Sequence, residues 1–300
     1  MKVLPGEDCF LAIPEPELCS YEKSKFVIQQ APYEHTSSYL QGSAKGPAAM
    51  IEASHFVEFY DEVLDMESYR QCGIATLPAI DFGSKVDADA INLIESETDK
   101  LIRDGKFVVS VGAEHTVTLG FVKSHLKKYK NLCVLQIDAH SDLRSSYHDN
   151  IYSHASVMAR VNDLKVPLTQ IGIRAQCKEE SDLIKSSDII HTFYAHQIRS
   201  NPEWMENAIA TLGENVYLTI DADGLDPSVM PAVGTAEPNG LFWEETISFL
   251  SKVIQQKNVV GFDIVEIAPK EGEIITQYNC AKLLYRLIGF VVKKGGNTLK

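Results

Sequence analysis

Short apolar runs alternate with longer mixed segments along almost the whole chain. The runs at 25–30 (KFVIQQ), 106–111 (KFVVSV), 131–138, 168–173, 188–193, 216–221 and 259–267 have the length and β-branched content of buried strands. The intervening segments read as helices: one opened by Pro47 and running to about residue 59, then 88–103, a helix running to Lys130, one through Val161, and 203–212, 243–256 and 276–292. Proline suits a first helical position because its missing N–H has no partner there anyway. Thr116 or Thr118 is the expected cap of the helix that ends at Lys130, and Ser153 that of the helix through Val161. Strand–helix alternation of this kind predicts an α/β, three-layer fold, with a mostly parallel sheet of about eight strands and helices on both faces. No linker, repeat or low-complexity tract interrupts it, so residues 1–300 are expected to form a single domain.

Composition narrows the partners. A net charge of -13 is the wrong sign for nucleic acid or an anionic membrane surface, and it is compatible with a cationic small molecule. No uninterrupted apolar stretch approaches the ~18 residues of a membrane span, and the first ten residues, MKVLPGEDCF, lack the apolar centre of a leader peptide. A cytoplasmic protein is the expectation. The six cysteines are scattered without a C-x-x-C pair, so neither a disulfide framework nor a thiolate zinc site is expected.

Three apolar runs end on side chains that bind metals. His115 follows KFVVSV in VGAEHT, Asp138, His140 and Asp142 follow NLCVLQI, and Asp221 and Asp223 follow VYLTI. In parallel sheets, ligands bind beyond the carboxyl ends of the strands. In an extended chain, residues two apart point the same way, so each group is expected to converge. Four carboxylates and two imidazoles in one place carry too much negative charge to stand alone, and two divalent cations would balance it. A donor set without thiolate favours Mn²⁺, with Fe²⁺, Co²⁺ or Zn²⁺ as alternatives. A pair of metals ~3.5–4 Å apart lowers the pKa of a shared water toward ~7.

The segments GAEHT, DAHSD, DADGLDP with PAVGT, and GFDIVEIAP resemble the ureohydrolases, the arginase and agmatinase family of dinuclear manganese enzymes, over residues 32–290. The resemblance implies two Mn²⁺ ions, one held by His115, Asp138, Asp142 and Asp221, the other by Asp138, His140, Asp221 and Asp223, with Asp138 and Asp221 bridging. It implies hydrolysis of a guanidino group to urea and an amine by a metal-bridging hydroxide. His154, in YSHASVMAR, matches the family's proton shuttle, and Glu266, in DIVEIAP, its guanidinium-binding carboxylate. Asp226 and Pro227 read as turn formers. Ala113 stands where relatives often have a second glycine, Glu114 where Asp is common, and Ala155 where many have Gly; these departures bear on pocket shape and leave all six donors in place.

The stretch APYEHTSSYLQGSAKGPAAMIEAS resembles the agmatinase branch, and LRSSYHDNIYS does not match the arginase pattern in spacing. Hydrolysis of agmatine to putrescine and urea is therefore expected. N1-aminopropylagmatine and guanidinobutyrate are the nearest alternatives and arginine a weaker one. Relatives imply a homo-trimer or homo-hexamer. Two readings of other kinds remain: a two-metal phosphoesterase, which would need basic clamps that the motif segments lack apart from Arg144, and a non-catalytic metal-binding subunit.

Overall fold

Eight strands line up in one parallel sheet. They are β1 (Phe26–Ala31), β4 (Ile74–Thr76), β5 (Phe107–Gly112), β6 (Leu132–Ile137), β7 (Leu168–Ile173), β8 (Ile190–Tyr194), β9 (Asn215–Asp221) and β10 (Asn258–Val265). Two further short strands, β2 (Tyr60–Asp61) and β3 (Met66–Glu67), pair antiparallel in a separate hairpin. This computed structural model describes residues 1–297.

The strand order is β4-β1-β5-β10-β9-β6-β7-β8, and every neighbouring pair is parallel. The first and middle thirds of the chain thus build the two flanks, and β9 and β10 close the gap between β5 and β6. The four central strands release the chain at one edge, where His115, Asp138, Asp221 and Glu266 follow them. Alternation along the strands explains the layers. In β9, Val216, Leu218 and Ile220 pack into one apolar cluster and Tyr217 into another; in β6, Cys133, Leu135 and Ile137 oppose Leu132 and Val134. Both faces are therefore covered by helices, as buried parallel sheets require.

Three local expectations change. The helix opened by Pro47 stops at Ser54, and the β2–β3 hairpin follows. Strand β4 and the helix Lys178–Ser186 were not foreseen: the first is only three residues long, and the second, KEESDLIKS, is too polar for its apolar residues to show a period. None of the three expected cap hydrogen bonds forms: distant partners take the two threonine hydroxyls, and that of Ser153 turns to its neighbour. Thr116 Oγ1 donates to Tyr152 O, Thr118 Oγ1 donates to Asp263, and Ser153 Oγ lies beside His154 Nδ1. No helix among the described residues is long and apolar enough to cross a membrane.

Candidate metal centre

The end of β9 and the loops beyond β5, β6 and β9 bring all six expected donors together. His115 Nδ1 lies 3.0 Å from Asp138 Oδ2, 3.0 Å from Asp142 Oδ2 and 3.5 Å from Asp221 Oδ2. His140 Nδ1 lies 3.2 Å from Asp223 Oδ2 and 3.7 Å from Asp138 Oδ1. Two groups have donor atoms within 4.8 Å of one another: His115, Asp138 and Asp142, and Asp138, His140 and Asp223. Asp138 belongs to both.

Convergence does not come from strand alternation alone. β6 ends at Ile137, Asp142 takes a left-handed backbone (φ 54°), and Asp223 sits in the 3-10 turn Ala222–Gly224. Gly224 makes the close approach of two candidate donor segments possible, since a Cβ there would meet the Asp138 backbone nitrogen at 2.7 Å. Glu266, just beyond β10, is also left-handed (φ 62°). That strained turn carries its Oε1 to the His115 backbone N–H at 2.7 Å.

The electrostatics match a cation site. Burial and the neighbouring Asp138 push Asp142 up to about 7. Burial, Asp223 and Asp138 push Asp221 well above the carboxylate range. Burial alone would lower His140, but Asp223 and Asp138 raise it to about 12. His115 supplies a direct test of fit. Thr219 Oγ1 donates its proton to Asp263 Oδ1 (2.6 Å), so at 2.9 Å it accepts from His115 Nε2–H. The buried Nδ1 of His115 has no hydrogen bond of good geometry and faces the carboxylates of Asp138 and Asp142 at 3.0 Å, which outweigh burial and hold His115 well above the usual histidine range. A positive charge is thus called for at this nitrogen, and a cation there would balance the carboxylates in place of the proton, so the donor set fits a metal.

The same edge forms a cavity of about 470 Å³, lined among others by His140, His154, Asp221, Asp223, Glu237 and Glu266. Burial, with His140 and His115 nearby, lowers His154 to about 4, so its imidazole is neutral there at neutral pH. Glu266 is pushed well up by burial and by Glu114. Asp226 does form a turn: Oδ1 accepts from Ser228 N–H and Oγ–H, and Oδ2 accepts from Gly240 N–H.

The arginase family model matches residues 24–289. The chain belongs to the arginase family. It is 40% identical to the N(1)-aminopropylagmatine ureohydrolase of Synechocystis, covering 91% of each chain. It is 36% identical to the agmatinase of Bacillus anthracis, covering 83% of this chain and 86% of that one. The agmatine ureohydrolase structure of Thermoplasma volcanium superposes with a TM-score of 0.83 at 31% identity, covering 93% of each chain.

Within this family member, several supporting groups escaped the sequence reading. Gln136 Nε2 donates to Asp138 Oδ2 (2.7 Å) and Thr235 Oγ1 to Asp223 Oδ2 (3.1 Å). Arg174 reaches the carbonyls of Asp223, Glu237 and Pro238 and so ties the third candidate donor loop to the cavity wall. Glu114 uses its carboxylate to hold the backbone of His35 and Thr36. Gln136 offered the one local signal, two residues before Asp138 on the strand.

Proposed function

We propose that this ureohydrolase hydrolyses the guanidino group of an agmatine-type polyamine precursor to urea and an amine, with N1-aminopropylagmatine as preferred substrate and agmatine second. The observation that carries the reading is one cavity that His140, Asp142, Asp221 and Asp223 line together with His154, Glu266 and Glu237, with His115 and Asp138 grouped against those donors. His115, Asp138, Asp142 and Asp221 would hold one Mn²⁺, and Asp138, His140, Asp221 and Asp223 the other. When bound, two such cations supply the acidified water that attacks a delocalised guanidinium carbon at neutral pH.

The chain's own residues do the rest. Glu266 keeps Oε1 on the His115 N–H and leaves Oε2 for a guanidinium N–H, which fixes the carbon against the donor cluster. His154, neutral in the free site, takes a proton and returns it to the departing amine. Glu237 supports the preference for a cationic tail. Asp142, Asp221 and Asp223 belong to the donor cluster, and Glu180 is spent on the N–H groups of Leu143 and Cys177. Among the described residues the Glu237 carboxylate has neither a hydrogen bond nor an ion pair; the Arg174 guanidinium donates to its carbonyl and acts on its charge from nearby. A distal ammonium suits it, and a carboxylate tail such as that of guanidinobutyrate does not. N1-aminopropylagmatine is put ahead of agmatine because relatives of that name reach 40% identity over 91% of the chain, against 36% over 83% for an agmatinase. A single catalytic unit over residues 1–300, assembly as a homo-trimer or homo-hexamer and a cytoplasmic location belong to the same proposal.

Urea release from Mn²⁺-loaded protein with N1-aminopropylagmatine, agmatine, guanidinobutyrate and arginine tests it. The expected kcat/KM falls in that order. Urea from none of the four rejects the function, and a preference for guanidinobutyrate or arginine rejects the substrate assignment.

A further inference from the structure

His154 opens a short 3-10 turn, His154–Ser156, but its ring is not oriented by that turn. Both ring nitrogens meet hydroxyls from a segment more than a hundred residues earlier. Nδ1 lies 3.1 Å from Thr36 Oγ1, and Nε2 lies 3.1 Å from Ser38 Oγ. Thr36 Oγ1 also accepts the backbone N–H of His154 at 3.0 Å, so one hydroxyl holds both the main chain and the ring. The ring of Tyr147 stands edge-on at 6.2 Å.

The segment carrying these hydroxyls has no regular structure between β1 and the 3-10 turn Ser43–Lys45, yet two carboxylates fasten it. Fully buried Glu114 accepts the N–H of Thr36 (2.7 Å) and of His35 (3.0 Å) on one oxygen. Glu34 accepts the N–H of Gly42 (2.7 Å) and of Ala44 (3.0 Å) and the hydroxyl of Ser37 (3.0 Å). Glu114 immediately precedes His115 in the chain, so the segment is fixed to the loop that supplies the first metal donor. A flexible loop would not need five backbone and hydroxyl donors collected on two side chains, and an imidazole without a firm partner would not keep one aim.

We propose that residues 33–44 are the positioning element of His154, and that the Thr36 hydroxyl, fixed by Glu114, aims its ring into the cavity. The inference rests on His154 acting as the proton carrier. It gives the SSY…GP stretch a part in catalysis through His154. The partner of one ring nitrogen decides which tautomer the other presents, so Thr36 governs both the direction and the proton of the ring. Ser38, on the cavity wall, is the hydroxyl that yields when a substrate amine takes its place.

The test compares Thr36→Val, Thr36→Ser, Ser38→Ala and His154→Ala in the Mn²⁺-loaded enzyme, with Tm and metal content measured for each. Thr36→Val keeps the side-chain shape and removes the hydroxyl. Its kcat is expected to fall ~10–100-fold, the scale of a small misplacement of a catalytic group, with KM nearly unchanged and the limb of the pH profile due to His154 displaced. Thr36→Ser restores most of kcat. In the His154→Ala background Thr36→Val causes no further loss, because the two act as one unit. Should Thr36→Val fail to fold, Ser38→Ala replaces it, with a smaller fall in kcat and the same absence of effect on His154→Ala. Wild-type kcat in Thr36→Val, failure of Ser to restore it, or an undiminished further loss on His154→Ala overturns the inference. If His154→Ala is itself fully active, the proton-carrier reading falls and this inference with it; if only Thr36→Val is fully active, the proposed function stands and this inference alone falls.

Discussion

Asp221 and Asp263 lie on neighbouring strands of the same sheet, one pleat repeat apart, and they solve the burial of a carboxylate in different ways. In the β9–β10 register Asp263 pairs with Thr219, and Asp221 with Val265. Asp263 is wholly enclosed and receives three hydroxyls, from Thr219 at 2.6 Å, Tyr217 at 2.7 Å and Thr118 at 3.1 Å. Burial pushes it up to about 6 against the pull of those donors. Asp221 receives one N–H, from Asp223 at 2.8 Å, has His115 Nδ1 at 3.5 Å, and otherwise faces Asp223, Asp138 and Glu266. A carboxylate supplied with hydroxyls is complete within the chain, whereas a carboxylate among carboxylates calls for a cation. The two sites are also joined, since Asp263 holds Thr219 and Thr219 holds His115.

The sharpest way to break this contrast is Asp138→Asn. Asp138 is the residue common to both donor groups, so an amide there removes one anion from each. Loss of bound metal by elemental analysis and a fall in turnover of ~10⁴-fold or more are expected, the scale for removing a member of a unit that acts together. Full metal content with near wild-type turnover sinks the proposed ligand set.

Asp263→Asn probes the other side and should cost less. An amide cannot accept three hydroxyl protons as well as a carboxylate does, so at least one buried donor loses its partner, at ~1–3 kcal/mol in a urea-unfolding experiment. His115 loses the chain that fixes its tautomer, and metal affinity should weaken ~10–100-fold. Unchanged affinity together with reduced stability would mean that Asp263 serves the fold alone.

The contrast also explains what was legible in the sequence. Asp138, His140 and Asp142, like Asp221 and Asp223, are two apart in the chain and directly beyond apolar runs, so local spacing exposes them. The sheet was legible for the same reason, since β5, β6, β7 and β9 are continuous buried runs, while the three residues of β4 were not. Asp263 carries no such mark. Within FDIV it looks like any polar residue in a strand, because its partner Thr118 is 145 residues away. Thr36 and Glu114 are 78 apart, and nothing local in AEHT or EHTSS predicts that they meet. Alternation also led to the right cluster by an incomplete route: the left-handed turn at Asp142 and the 3-10 turn at Asp223 complete what the strands only begin.

The smallest effect expected is a change with pH in how much metal stabilises the fold. In the metal-free protein His140 is raised from 6.5 to about 12, and Asp142 from 3.8 to about 7. Both hold a proton more tightly folded than unfolded. Each contribution is therefore complete below its unfolded pKa and is lost as pH rises through the folded one, over 3.8–7 for Asp142 and 6.5–12 for His140. His125, lowered by burial to about 4, acts in the opposite sense below 6.5, but it is remote from the donors and cancels between loaded and stripped protein. Metal ligands must be deprotonated, so metal competes with exactly those protons and binds better as pH rises. The gap in Tm between Mn²⁺-loaded and chelator-stripped protein should accordingly widen from pH 6 to pH 9, while Asp138→Asn shows almost no gap at any pH. A gap that narrows over this range in the wild type would mean that the buried carboxylates are satisfied within the chain, as Asp263 is, and that the donor cluster does not await cations.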